Sequence, residues 1–317
     1  MTVDYEQYFD RRGKRGVLAG GESVIEISTP SGPFSVWTKR TGNNPDVALL
    51  FLHGGPGATH EYFIAADSYL PAAGIEYYYY DQLGSGNSDA PSDPSLWTLE
   101  RFVDEVEQVR VGLGLGPENL FVLGHSWGGV LAVEYALAHQ DKLKGLIISN
   151  MMSDGAAYNR YAQEVLMPPM DQAALAEIKA MEASGDTDNP RYDELLLEHH
   201  YVHHVLRLPP EQWPAPVQRA FAKINKEIYV PLQGPSELGL SGVLLDWSRT
   251  DDLHEITVPT LVIGAQHDTM DPNFMRHMAS LLPAGEYLHC PEGSHMAMYD
   301  DQETYFEGLI SFLRRHA

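Results

Sequence analysis

Short, almost unbroken apolar runs constrain this chain more than any other feature. Val47–Leu52, Tyr77–Tyr80, Leu120–Leu123, Leu146–Ser149 and Thr260–Ile263 show no alternation of apolar and polar residues. A strand with one wet face alternates, so these runs belong in a sheet covered on both faces. Helical patterns separate them. Leu99–Leu113 follows Thr98, a suitable N-cap, and carries Glu100 in its first turn, where a negative charge meets the positive end of the helix dipole. Val130–Ala138 is a second such segment. Buried strands alternating with helices predict an α/β fold with a mostly parallel central sheet flanked by helices. Two β-type runs precede it, Ser23–Thr29 and Phe34–Lys39, and Pro30-Ser31-Gly32-Pro33 between them predicts a hairpin.

The alternation stops between Met151 and about Thr250. That stretch holds Pro168-Pro169, Pro209-Pro210 and Trp213-Pro214-Ala215-Pro216, with helical segments over Gln172–Met181 and Arg191–Leu206 and no convincing buried strand. It reads as a helical cap inserted at 151–250 into a core built from 1–150 and 251–317. The α/β pattern then resumes with a helix near Asn273–Leu282, a strand over Glu286–His289, and a last helix for which Asp300 and Glu303 have capping-box spacing.

Composition excludes several function classes. With 21 basic and 44 acidic side chains the formal charge is −23, a field that repels phosphate backbones and anionic lipid, so neither nucleic acid nor a membrane surface is an expected partner. The densest basic stretch, Arg11, Arg12, Lys14 and Arg15, is interleaved with and preceded by other residue types that dilute it. A single cysteine, Cys290, permits no intramolecular disulfide and no cysteine-based metal cluster. The first twenty residues lack the apolar centre of a signal peptide, and no long apolar run suits a spanning helix. The expected address is cytoplasmic.

The sharpest chemical signal is Gly124-His125-Ser126-Trp127-Gly128, placed after the run Leu120–Leu123 and before a helical segment. Small residues on both sides of the serine allow a tight strand-to-helix turn that lifts its hydroxyl clear of the sheet. The Trp127 N–H, at the start of the helix, then points where an oxyanion would form. His53-Gly54-Gly55-Pro56-Gly57 follows the run Val47–Leu52, and its glycines let backbone amides approach a substrate. Gly55 N–H is the candidate second oxyanion donor, with Gly54 its neighbouring alternative. A serine nucleophile needs a base, and the base an orienting acid. His295, in the loop Pro291–His295, and Asp268, in the loop after Leu261–Ile263, meet those needs; Asp271 is the alternative acid. His199-His200-Tyr201-Val202-His203-His204 contains i, i+4 histidine pairs, yet no glutamate follows the first histidine as in a zinc protease and no third ligand is evident. No metal or organic cofactor is expected.

These residues together resemble an α/β-hydrolase of the proline iminopeptidase family, serine aminopeptidases that release an N-terminal residue. The resemblance rests on His53–Gly57, Asp81-Gln82-Leu83-Gly84-Ser85-Gly86-Asn87-Ser88, Gly124–Gly129, Gln233-Gly234-Pro235-Ser236-Glu237, and the Asp268 and His295 loops. Many members have arginine where Leu83 and Asn87 stand and glycine where His125 stands. Those departures make the chain more similar to the broad-specificity branch of tricorn-associated aminopeptidases and amino-acid amidases. The resemblance implies that cap glutamates hold the substrate's free α-amine. Glu237 falls on such a position, and a second ligand is expected on the helix Arg191–Leu206, with Glu198 preferred over Glu194. The implied substrate is a small peptide or an amino-acid amide. The competing readings are a carboxylesterase or lactonase acting on uncharged esters, and a catalytically silent binding member of the fold.

Overall fold

A computed structural model describes residues 20–317. The basic stretch Arg11–Arg15, and all but the last residue of the N-terminal segment read as lacking a signal peptide, lie outside the described residues. The chain forms one eight-stranded sheet of order β1-β2-β4-β3-β5-β6-β7-β8. Its strands are β1 Gly20–Thr29, β2 Gly32–Thr41, β3 Ala48–Leu52, β4 Glu76–Tyr80, β5 Leu120–His125, β6 Gly145–Ser149, β7 Thr260–Ala265 and β8 Gly285–Cys290. From β4 to β8 every neighbouring pair is parallel; β1 and β2 form the expected hairpin, and β2 runs antiparallel to β4. The hairpin strands extend further than the sequence indicated, because Thr29 pairs directly with Gly32 and leaves only Pro30 and Ser31 in the turn.

The unbroken apolar runs have a direct explanation in the two cores. Leu50, Leu52, Tyr78, Tyr80, Val122, Leu146, Ile148 and Val262 pack on one face of the sheet. Leu49, Phe51, Tyr77, Tyr79, Phe121, Leu123, Ile147, Leu261 and Ile263 pack on the other. Successive side chains point to opposite faces, so a strand buried on both sides has no polar position to spare. The four consecutive tyrosines fit because their hydroxyls find acceptors: Tyr77 and Tyr79 donate to Asp67, Tyr78 to Glu76 and Tyr80 to Glu105.

Helices α1 Leu99–Leu113 and α2 Trp127–His139 follow β4 and β5. Thr98 caps α1 by accepting from the Arg101 N–H, and Gly114, at φ 65°, ends it in the left-handed conformation. Between β6 and β7 the described chain is helical with no strand: α3 Gly155–Tyr161, α4 Gln172–Ser184, α5 Pro190–Leu196, α6 Ala215–Ala222 and α7 Lys226–Leu232. Part of this segment has its own small core around Leu166, Ile178, Tyr192 and Leu196. The helix expected over Arg191–Leu206 is not uniform. Past Leu196 it widens into one π turn, Leu197–Tyr201, before a last short turn to His204.

Helices α8 Pro272–Leu281 and α9 Gln302–Arg315 complete the fold. The capping box expected from Asp300 and Glu303 does not form. Asp300 instead turns away from α9 and accepts from the backbone N–H groups of Ser294 and Arg207, both at 3.0 Å. No helix among the described residues is long and apolar enough to cross a membrane.

The turn from β5 into α2 is sterically the tightest junction of the sheet. A Cβ on Gly124 would lie 1.9 Å from the Gly128 carbonyl oxygen, and one on Gly128 would lie 2.0 Å from the Leu52 carbonyl oxygen. Both obstacles are backbone and cannot swing aside. Gly128→Ala is therefore expected to cost about 3 kcal/mol or more, read as a lowered urea midpoint, because β3 and α2 must separate to admit one methyl group.

Candidate active site

Ser126 occupies the turn between β5 and α2 with φ 57° and ψ −128°, a conformation a non-glycine residue adopts only under constraint. The constraint is visible: its N–H donates to the Ser149 carbonyl at 3.1 Å, its carbonyl accepts from Gly129 N–H, and α2 cannot retreat from β3. The side chain faces a cavity of about 510 Å³ that is also lined by Gly55, Tyr62, His295, Tyr229 and Glu237. The walls above Ser126 come from the helical segment, with Tyr201, Trp213 and Phe221 giving them an apolar, aromatic character.

His295 shares the cavity with Ser126, and behind it Asp268 is fully buried, its Oδ1 2.8 Å from His295 Nδ1. Asp268 is held from several directions. Asn150 Nδ2 donates to its Oδ2 at 2.7 Å, while the Met270 N–H and the Thr269 hydroxyl donate to Oδ1. Asn150 itself has φ 52°, and its side chain also reaches the Ser294 carbonyl. Burial disfavours a charged His295, but the attached Asp268 carboxylate and the nearby Glu237 outweigh it and raise the imidazole pKa above 6.5. Asp271 is placed otherwise. It caps α8, accepting from the Asn273 N–H at 2.8 Å.

The two candidate oxyanion amides differ in availability. The Gly54 N–H is taken, donating to Tyr62 Oη at 2.5 Å. Gly55, at φ 109°, lines the cavity, and the Trp127 N–H lies in the first turn of α2, where helix amides lack an intrahelical acceptor. The Asp81-Gln82 motif ties these pieces together. Gln82 donates from Nε2 to the His53 carbonyl at 2.8 Å and accepts from the Trp127 indole N–H at 2.9 Å, while its own N–H donates to His53 Nε2 at 3.0 Å.

Glu237 is buried, and its Oε1 accepts from Tyr229 Oη at 2.6 Å. Burial raises its carboxyl pKa, and no lysine or arginine pairs with it among the described residues. It is a buried carboxylate, open to the cavity, whose charge Tyr229 and the neighbouring His295 compensate only in part. Glu198 is not brought to this place. Its side chain is 71% exposed and lies near His199 outside the cavity, and Glu194, 66% exposed, pairs with Arg191. The carboxylate that α5 does present is Asp193, at the cavity mouth. Asp193, Leu197, Tyr201 and Val205 all line the cavity at four-residue steps along one face, and Glu198 falls off it. Among the described residues no group of three or more His, Cys, Asp or Glu could hold a metal ion; His200 Nε2 donates to the Glu237 carbonyl and His204 Nδ1 to the His267 carbonyl, at 3.1 and 3.0 Å.

A serine on a strained strand-to-helix turn, facing a histidine backed by a buried aspartate at the end of a parallel sheet, is the layout of an α/β hydrolase. The alpha/beta hydrolase fold family model matches residues 47–302. The chain is 51% identical to a proline iminopeptidase of Flavobacterium johnsoniae, covering 92% of this chain and 97% of that one. It is 35% identical to a proline iminopeptidase of Saccharolobus solfataricus, over 84% of each chain. Among solved structures, a proline iminopeptidase of Mycobacterium smegmatis superposes with a TM-score of 0.79 at 29% identity, covering 93% of this chain and 98% of that one. VinJ superposes with a TM-score of 0.85 at 28% identity, covering 93% and 99%. The chain belongs to the proline iminopeptidase family.

Three histidines around the site are buried neutral. Desolvation lowers His53 to about 4 and His200 to about 3, and holds His125 well below its ordinary value. Their unfolded counterparts titrate near 6.5, so below that pH the unfolded chain binds more protons and stability falls as pH falls toward the folded values. His295, raised instead, opposes this slope. Near pH 5 each buried neutral histidine is expected to have forfeited on the order of 2 kcal/mol. His200→Gln, which keeps an N–H for the Glu237 carbonyl, should make the urea midpoint less sensitive to acid.

Proposed function

We propose that the chain is a serine aminopeptidase that releases an N-terminal residue, proline or another small or hydrophobic one, from peptides or amino-acid amides. In this reading residues 151–250 are a cap over the core, Ser126 is the nucleophile, His295 the general base and Asp268 its orienting acid. The observation that carries the proposal is Glu237. A buried carboxylate without a cationic partner, in the same cavity as Ser126 and His295, fits a substrate that brings its own positive charge, and a free N-terminal ammonium is that charge. Asp193 at the mouth adds a second carboxylate on the same side of the charge balance. The acidic composition and the single, buried cysteine support a cytoplasmic address.

The reaction then runs through an acyl-enzyme. Ser126 Oγ attacks the carbonyl of the first residue while its proton passes to His295 Nε2, the nitrogen that Asp268 leaves open. The carbonyl oxygen becomes an oxyanion that the Gly55 and Trp127 amides stabilise, an interaction worth on the order of 3 kcal/mol for one such donor. Collapse breaks the C–N bond, and His295 returns the proton to the leaving amine. Water, deprotonated by the same imidazole, cleaves the ester, frees the amino acid and restores Ser126.

Ser126→Ala should abolish turnover of aminoacyl-nitroanilides while near-UV circular dichroism stays unchanged; retained turnover would remove the serine from the mechanism. N-acetylated substrates should be refused, and Glu237→Gln should raise KM for the free-amine substrate about tenfold or more. Equal turnover of the acetylated substrate would remove the free-amine requirement and with it the aminopeptidase reading. Because His295 must be neutral to take the proton and its pKa is raised, kcat/KM should climb with pH through a midpoint above 6.5.

A further inference from the structure

The residue before Ser126 is a histidine that the triad does not use. His125 is 1% exposed. Its Nε2 lies 2.8 Å from the backbone carbonyl oxygen of His295, its Nδ1 lies 3.2 Å from Tyr62 Oη, and its ring packs against the His295 imidazole with centroids 4.8 Å apart. The carbonyl can only accept, so Nε2 carries the hydrogen. A neutral imidazole has one N–H, so Nδ1 is an acceptor and the Tyr62 hydroxyl is its donor. The Tyr62 oxygen accepts in turn from the Gly54 N–H at 2.5 Å. Every direction in the series is thereby fixed, from the Gly54 amide through the Tyr62 hydroxyl and the His125 ring to the His295 carbonyl.

We propose that His125 is a positioning residue, which with Tyr62 forms a buried strut holding the Gly54–Gly55 loop and the backbone of His295 at one spacing. The inference rests on the serine-hydrolase reading above, since the two ends of the strut are the oxyanion donor's loop and the base. The strut has two consequences for the chemistry. By occupying the Gly54 N–H, Tyr62 leaves Gly55 as the amide of that loop available to the oxyanion. Burial holds His125 neutral beside an imidazole that becomes positive when Ser126 is deprotonated, so the two tilted rings do not repel. Both ends move together, which matters because a shift of about 1 Å between base and oxyanion donor costs roughly 100-fold in rate.

The test compares His125→Leu, His125→Gln, Tyr62→Phe and the double variant His125→Leu/Tyr62→Phe, each checked for folding by its thermal midpoint. Two readouts are taken: steady-state kinetics on an aminoacyl-nitroanilide, and the rate of Ser126 labelling by a fluorophosphonate, which needs the base and oxyanion hole but no amine recognition. His125→Leu should lower kcat and the labelling rate roughly 10- to 100-fold, with KM within about threefold of wild type. Glutamine can donate its amide N–H to the His295 carbonyl and accept from Tyr62, so His125→Gln should recover most of the loss. If the strut acts as one unit, the double variant should lose no more than the worse single variant, whereas independent packing roles would multiply. A folded His125→Leu with wild-type kcat and labelling overturns the strut, as do multiplicative losses or a folded His125→Gln as slow as His125→Leu. If His125→Leu fails to fold, His125→Gln and Tyr62→Phe decide: near-wild-type rates in both overturn it, and a slow Tyr62→Phe beside an active His125→Gln supports it. A wild type that the fluorophosphonate does not label at Ser126 refutes the serine reading itself, a result distinct from any of these.

Discussion

The structure depends first on a steric fact, the absence of side chains where β3, β5 and α2 converge. Gly124 and Gly128 touch backbone at distances no Cβ could occupy, so α2 starts within contact of the Leu52 carbonyl and Ser126 is left on the only path between them. Its positive φ is the result of that packing. Because the His53–Gly57 loop leaves β3 at the same convergence, the serine and the amide of Gly55 are placed by one junction. The cores on the two sheet faces supply the force that keeps the junction closed.

Two buried carboxylates near Ser126 have opposite surroundings, and the contrast separates their roles. Asp268 receives hydrogen bonds from Asn150, Met270 N–H and Thr269 in addition to His295, which replace the water it lost. A carboxylate held on so many sides can fix the orientation of an imidazole. Glu237 has Tyr229 and an open side toward the cavity, and burial pushes its pKa up. A carboxylate left in that condition gains more from a cation than one already satisfied, so of the two it is Glu237 that leaves an electrostatic demand unmet. The net charge of −23 adds a long-range attraction for cations but cannot choose among them.

The sheet was legible because burial on both faces removes polar residues from a strand, a signature that survives without knowledge of contacts. Ser126, Asp268 and His295 were legible because each sits in a loop at a strand end, where side chains converge. Tyr62 and Asn150 carry no such signal, since each acts on partners far away in sequence and neither belongs to a residue type that announces chemistry; Gln82 stands in the sequence only as part of a motif, and its bridge from His53 to Trp127 appears only in the fold. The pattern of the helix expected over Arg191–Leu206 does not show which of its faces meets the cavity: Asp193, Leu197, Tyr201 and Val205 do so at four-residue steps, and Glu198, next to Leu197, falls to the side. Asp300 was misread because a carboxylate near a helix start suggests a cap, while here the unpaired N–H groups of Ser294 and Arg207 compete for it and win.

The end of that same helix bears on how recognition and chemistry are joined. His200 donates to the Glu237 carbonyl, and the Tyr201 hydroxyl accepts from the Glu237 N–H. One turn later the carbonyls of His204 and Val205 accept the N–H groups of His295 and Met296 at 2.9 and 2.8 Å, and Val205 also accepts from Ser294. A single stretch of six residues, 200–205, thus holds the backbone of Glu237 at one end and the backbone of His295 at the other. A displacement of this stretch would change both positions together, as the strut through His125 would on the opposite side of His295. The imidazole is therefore gripped from two directions, by the helical segment through its N–H and by the sheet through its carbonyl. Holding both backbone groups of one residue leaves its side chain little freedom beyond a small tilt of the ring, the kind of restraint that a positioned general base needs.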